Sequence, residues 1–438
     1  MTFPDPDSRS AELYARARRV LPDGGSRSTI KTSPYTLFVD HAQGAEVVDV
    51  DGNRLVDFNN NYTSLIHGHA YAPICEAVSE QIRRGSAYAF ANVSELNLAE
   101  LLCERVPSFQ QIRFMNSGSE AVMNAIKAAR AFTGRPKIAK CEGFYHGSYD
   151  FAEVSLGNGP AEWQAEDPPS TAYCAGTPPS VLDEVVVIPF NEPQHAQRIL
   201  DKHAGSIACV MIDTAPMRMG AGLVRDDFVA MLMDSAARHG MLMVLDEVVS
   251  FRLGYAGSQG VLGIEPDITA IGKIIGGGFP VGGVAGRSDV MSVFAEIDGA
   301  PARLHHGGTF NANPTTMSAG LAAMRDMTPA AFAALDALGD YARSALTEAL
   351  ARGGVTGQVT GSGSLFRLCL HDRPIVTIRD AASPPDENRR AAALRSGLID
   401  RGYFLGNGLS GCLSTQTTRD HVDGLCAAVT ALLPEVTG

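Results

Sequence analysis

Apolar and polar positions change rhythm three times along the chain. Over residues 9 to 20 (RSAELYARARRV), Ala11, Tyr14, Ala15 and Ala17 or Arg18 recur at helical spacing, and Pro22-Asp23-Gly24-Gly25 stops the helix. Residues 37 to 58 alternate as LFVD and then AEVVDVDGNRLVDF, where Asp51-Gly52 between two β-rich runs predicts a hairpin in a small antiparallel sheet. From about residue 70 to 325, short apolar runs alternate with longer helical stretches, the habit of an α/β sheet buried on both faces. The predicted strands are Gln111 to Met115, Lys137 to Lys140, Val185 to Pro189, Ile207 to Ile212, Met241 to Leu245 and Ile268 to Ile271. Residues 119 to 132 and 226 to 239 read as amphipathic helices. Residues 157 to 180 break the rhythm with five prolines and the one Trp, and read either as a long loop covering a site or as a surface insertion. Beyond about 330, an Ala-rich helix (Ala330 to Leu350), the strand-like SLFRLCL and a last helix near 419 to 433 predict a smaller α+β domain. The expected division is 1–68 as N-terminal helix and small sheet belonging to the small domain, 69–325 as the large domain, and 326–438 as the C-terminal small domain.

Composition narrows the class of molecule. The 438 residues suffice for two or three structural units, and no run of eighteen apolar residues occurs, so a membrane partner is not expected. Lys and Arg number 36 against 48 Asp and Glu, a net charge of −12 that opposes binding to nucleic acid. The eight cysteines are scattered without a C-x-x-C pair, which fits reduced thiols packed as small hydrophobes better than disulfides or a zinc site. The N-terminus, MTFPDPDSRS, shows no basic segment followed by an apolar core, so a cytoplasmic location is the expectation.

Three segments carry candidate chemistry. Asn116-Ser117-Gly118-Ser119-Glu120 follows a strand and opens a helix, and hydroxyls with a glycine at a positive helix end suit a phosphate monoester. A plain Ser N-cap explains the same residues without a ligand. Asp246-Glu247 follows MLMVL, placing carboxylates at the carboxyl end of a buried strand, where open α/β sheets bind ligands. No His or Cys cluster nearby completes a metal site, so no metal is expected. Lys273 lies between the buried ITAI and Gly276-Gly277-Gly278, and a desolvated lysine of lowered pKa is the side chain that forms Schiff bases. Tyr145-His146-Gly147 adds an aromatic ring able to stack on a planar group. A phosphate cradle, an acid for a pyridinium nitrogen and a Schiff-base lysine together are the parts that pyridoxal 5′-phosphate requires.

The segments RFMNSGSEAVMNAIKAARAFTGRPKI, EGFYHG, LDEVVS, IGKIIGGGFPVGGVAGR and GGTFNANP carry a resemblance that runs over nearly the whole chain. The sequence resembles the class III aminotransferases, pyridoxal-phosphate enzymes of fold type I. Within them it is similar to the branch of glutamate-1-semialdehyde aminomutase and the β-amino-acid and D-phenylglycine aminotransferases. The resemblance implies an aspartate-aminotransferase-like α/β fold, with a mainly parallel seven-stranded sheet in the large domain and a smaller α+β domain. It implies that Lys273 holds the cofactor as an internal aldimine and shuttles a proton, and that Asp246 keeps the pyridine nitrogen protonated. Ser117, Gly118 and Ser119 would bind the phosphate, Tyr145 and Val248 would take the two ring faces, and His146 joins the cofactor-binding set. Thr309 in GGTF would reach the phosphate of a neighbouring subunit's cofactor, so a homodimer with active sites at the interface is expected. Where family members carry Glu-Pro, this chain reads Asp213-Thr214-Ala215-Pro216, so Asp213 offers the charge on a shorter arm.

The same resemblance bears on substrate. The aminomutase holds its substrate carboxylate with an arginine where Thr29 stands here, whereas Ser26-Arg27-Ser28 looks like the wording of the β-amino-acid aminotransferases. Arg27 therefore reads as the planar fork for a substrate carboxylate, or as a solvated loop arginine. The activity expected is transfer of an amino group from an amino acid, of β-amino or aromatic type, to a 2-oxo acid. The aminomutase, with its intramolecular transfer, and a pyridoxal-phosphate-binding protein with racemase activity or without catalysis are the alternatives.

Overall fold

The structure is a computed structural model describing residues 3–437. It divides into two units, one of residues up to 72, 334–373 and 383 onward, the other of 73–333 and 374–382. Among the described residues fourteen strands, numbered along the chain, form three sheets.

The first unit contains β1 (Val39–Gln43), β2 (Glu46–Asp49) and β3 (Arg54–Asp57), joined in parallel at β3 by β13 (Tyr403–Phe404). The hairpin turn falls at Asp51-Gly52, and burial alternates along β2 and β3, as the period of two requires for a sheet with one wet face. A three-stranded sheet takes β11 (Gln358–Thr360), β12 (Leu365–Cys369) and β14 (Ser410–Cys412). After β3 the chain makes a left-handed turn over Asn60–Thr63, four consecutive non-glycine residues at positive φ. L-residues pay roughly 1–2 kcal/mol each for that region.

The second unit is built on β4 (Gln111–Met115), β5 (Lys137–Cys141), β6 (Val185–Ile188), β7 (Ile207–Ile212), β8 (Leu242–Glu247), β9 (Ile268–Gly272) and β10 (Gly282–Gly286), in the order β4-β10-β9-β8-β7-β5-β6. All run parallel except β10, which is antiparallel to both neighbours. Every residue of β7, β8 and β9 is buried, which is why these strands read as continuous apolar runs. Val122 and Ile126 of the helix Gly118–Thr133 pack in a cluster with Val187, Met211 and Val244. Phe228 and Leu232 of the helix Asp226–His239 belong to a second cluster with Val186, Val210 and Leu245. Each such fully buried side chain contributes about 1.5–3 kcal/mol.

Three differences from the sequence reading have physical causes. β10 is Gly-Gly-Val-Ala-Gly and carries almost no strand pattern, yet a Cβ at Gly282 would lie 2.0 Å from the Ser117 carbonyl and one at Gly286 2.3 Å from that of Asp267. Glycine is what admits the strand between its neighbours. β8 does not stop at Leu245 but pairs with β9 through Glu247, so Asp246 and Glu247 are strand residues. Residues 374–382, expected in the C-terminal domain, belong to the large-sheet unit because Ile375, Ile378 and Ala381 join its second cluster. The stretch 157–180 is largely irregular and held by polar contacts, with Asn158 donating to Glu142 and Arg379 to the Trp163 carbonyl. No described helix is long and apolar enough to cross a membrane.

Candidate active site

Because β7, β8 and β9 are parallel neighbours, their carboxyl ends share one edge of the sheet, the place where open α/β sheets bind ligands. That edge presents Asp213 after β7, Asp246 and Glu247 at the end of β8, and Lys273 after β9. Successive strand residues face opposite ways, so the two adjacent acids enter different surroundings. Glu247 is fully buried and accepts from Ser258 Oγ, Gln259 N at 2.8 Å and Gln259 Nε2 at 3.1 Å. Burial raises its carboxyl above the usual range, and these donors oppose the rise. Its role is structural. Asp246 Oδ1 accepts from Val248 N at 3.0 Å, while Oδ2 lies 2.8 Å from His146 Nδ1.

His146 is fully buried, and burial holds its pKa below the ordinary value against the pull of Asp246. A neutral ring donating from Nδ1 leaves Nε2 as the acceptor, and that buried nitrogen has no hydrogen-bond partner among the described residues. The geometry makes His146 a positioning residue for Asp246. Its neighbour Tyr145 turns outward and is 53% exposed, a ring available to a planar ligand. Two cations, the fully buried Lys140 and the more exposed Arg218, stitch this loop. Lys140 Nζ donates to the carbonyls of Cys141 (3.3 Å), Phe144 (3.1 Å) and Val154 (2.8 Å), and Arg218 to those of Gly143 and Leu156. Burial brings the Lys140 amine down to about 7.

At the helix Gly118–Thr133, Ser117 accepts from Glu120 N and Glu120 Oε2 from Asn116 N at 2.7 Å, a reciprocal cap. The Ser117 hydroxyl is thus the N-cap that the bland reading foresaw. Its cap leaves the Gly118 and Ser119 N–H groups at the positive end of a 16-residue helix. Ser119 Oγ accepts from Ser148 N at 3.0 Å and keeps its own proton to donate. Gly118 is required by Val248, whose methyls would come within 2.7 Å of a Cβ there.

Lys273 opens the short turn Lys273–Gly276 at φ +50°, a left-handed conformation that is costly for lysine and marks a position fixed by its surroundings. Burial, then the adjacent Asp246, push the Asp213 carboxyl up to about 8, with Lys273 pulling the other way. Asp213, Asp246 and Lys273 therefore share one electrostatic neighbourhood. Such an arrangement can hold a cation, keep a neighbouring ring nitrogen protonated and accept or return a proton at an amine.

Two further expected residues stand on other elements of the chain. Thr309 is exposed on the loop before the helix Pro314–Asp326. Arg27 belongs to the other unit and donates from Nη1 to Asn61 Oδ1 at 2.9 Å. Sequence reasoning passed over His146 as the partner of Asp246, Lys140 as the tie of the Tyr145 loop, and the triple Asn59-Asn60-Asn61. The last had a signal, since asparagine is the non-glycine residue that best tolerates positive φ. Among the described residues no group of three or more His, Cys, Asp or Glu is placed to hold a metal ion.

Comparison with known proteins gives a consistent picture. A family model described as aminotransferase class-III matches residues 28–400. A curated glutamate-1-semialdehyde 2,1-aminomutase of Methanothermobacter thermautotrophicus is 33% identical over 97% of this chain and 99% of its own. Among solved structures, an omega-transaminase from Sphaerobacter thermophilus is 49% identical, with 99% of each chain covered and a TM-score of 0.96. A β-phenylalanine aminotransferase from Variovorax paradoxus is 32% identical, covering 97% of this chain and 94% of that one, with a TM-score of 0.86.

Proposed function

The chain belongs to the class-III aminotransferases, and from that premise we propose that it moves an amino group from a β-amino or aromatic amino acid to a 2-oxo acid, with Lys273 as the residue that holds the cofactor and moves the proton. The observation that carries this reading is the convergence of Asp213, Asp246 and Lys273 at the carboxyl ends of three adjacent parallel strands. The cofactor is pyridoxal phosphate, which when bound supplies an electron sink for the carbon bearing the amine.

The residues present fit that group. The Gly118 and Ser119 N–H groups and the Ser119 hydroxyl are donors for its phosphate, backed by the helix end. Asp246, fixed by His146 and Val248 N, would be the carboxyl group that holds the ring nitrogen. The exposed Tyr145 ring and Val248 would take the two faces of the pyridine, and Asp213 would complete the polar rim. Lys273 would take the proton from the amine-bearing carbon and deliver it to the cofactor's carbon rather than back, which is what separates transfer from racemisation, and it stands at a backbone position fixed at positive φ. Arg27 pairs with the substrate carboxylate.

A homodimer is part of this proposal. Phe90 (86% exposed), Val93 (71%) and Phe310 (60%) stand out on the large-sheet unit beside a hollow of about 870 Å³ lined by Tyr88, Arg113 and Asn311, and a second copy is what would cover them. Thr309, on the same loop as Phe310, would then serve the phosphate site of the other subunit.

The test is the visible absorbance of the holoenzyme during addition of single α-, β- and ω-amino donors. Conversion of the bound cofactor's band by a β-amino acid, restored by a 2-oxo acid, is the expected result. A second reading, the aminomutase, has the name of the curated relatives in its support. Turnover of glutamate-1-semialdehyde without an added oxo acid, with no donor shifting the band, would establish it and overturn the first.

A further inference from the structure

Asn60, Asn61, Tyr62 and Thr63 stand at φ 47°, 48°, 56° and 71°, and a whole turn of such residues persists only where its surroundings over-determine it. They do so here. Asp57 Oδ1 accepts from the backbone N–H of both Asn59 and Asn60, and its other oxygen lies 2.8 Å from His69 Nε2. Asn59 Oδ1 accepts from Tyr62 N at 2.7 Å, and the fully buried Asn60 donates to the Cys412 carbonyl at 3.0 Å.

What this anchored turn delivers is a setting for one arginine. Asn61 Oδ1 accepts from Arg27 at 2.9 Å while its Nδ2 donates to Ser64 Oγ at 3.1 Å, so the amide is fixed with its oxygen toward the guanidinium. The Tyr62 ring lies 5.8 Å from the Arg27 Cζ, and the Tyr62 hydroxyl donates to the Thr29 carbonyl, tethering the segment that carries Arg27. Among the described residues Arg27 makes no ion pair, in a chain with 48 acidic residues. A neutral amide and an aromatic face orient a guanidinium without neutralising it. Its remaining fork of N–H donors keeps its full affinity for a carboxylate.

We propose that Asn61 and Tyr62 are positioning residues that aim Arg27, so that the left-handed turn sets the enzyme's demand for a donor whose carboxylate lies β to the amine. The proposal rests on the reading of Arg27 as the substrate fork. The experiment compares kcat/KM of the holoenzyme for β-phenylalanine and for 1-phenylpropylamine, the same skeleton with a methyl group in place of the carboxylate. The wild-type ratio should favour the amino acid, and Arg27→Ala should collapse it. Asn61→Gly adopts the left-handed conformation freely but deletes the acceptor, and should lower the ratio about tenfold, mainly through KM. Asn61→Asp keeps shape and acceptor but gives the guanidinium an anion of its own; it should lower the ratio further and recover in part at high salt. A turn that merely supports the fold would leave Asn61→Asp at the wild-type ratio. If Arg27→Ala leaves the ratio unchanged, the fork reading fails and this proposal with it. If Arg27→Ala collapses the ratio while both Asn61 variants match wild type, the fork stands and the positioning role is overturned.

Discussion

At the carboxyl edge of the large sheet, Asp213, Asp246 and Glu247 are buried and each accepts from a backbone N–H, of Ala215, Val248 and Gln259 in turn, whereas Arg27 and Asn61 sit exposed on loop and turn. The first region is fixed by strand pairing and desolvation; the second by a run of side-chain bonds that force a backbone against its preference. The difference teaches how the labour divides. Chemistry that must alter protonation needs low dielectric and rigid elements, while choice of substrate can reside in a local turn that is easily changed.

The strongest way to break this comparison is at the lysine. Lys273→Ala should lose turnover on the order of 10⁴-fold or more and release cofactor on gel filtration. Turnover near the wild-type rate would dismiss the sheet edge as the catalytic region. Next in size is Asp246→Asn, which keeps the acceptor for Val248 N but removes the anion. Turnover should fall about 10²- to 10³-fold while the bound cofactor remains visible by absorbance. Normal activity in that variant would remove Asp246 from the ring nitrogen.

The smallest effect concerns Asp213 and sharpens the contrast through pH. Its folded carboxyl sits at about 8, above the ordinary 3.8, so the native chain holds a proton that the unfolded chain has released. Stability from this group is therefore present below the ordinary value and is lost as pH rises toward 8. Asp213→Asn cannot titrate, and its Tm should gain on wild type by a few degrees between pH 5 and pH 8. An equal difference at both pH values would mean that Asp213 does not change its protonation between them, and would overturn this reading.

Much of the fold was legible because burial on both faces turns parallel strands into apolar runs, as in Ile207–Ile212 and Ile268–Gly272. The strand Gly282–Gly286 was not, because close neighbours stripped it of the side chains that would announce it. The motif residues were legible for a related reason. Gly118 at a helix start, an acid closing a strand and Lys273 before three glycines are each local patterns, readable without knowing what lies across from them.

By itself, then, the sequence determined which side chains were available and on what element each sits, since periodicity and capping act over a few residues. Only the tertiary structure decided that His146 serves Asp246 a hundred positions away, that Glu247 is caged rather than reactive, and that Asn61 faces Arg27. Those outcomes depend on distance and desolvation. Both are set by a strand order that does not follow the chain, β4-β10-β9-β8-β7-β5-β6, and by backbone bonds that no local preference of Tyr62 or Thr63 would choose.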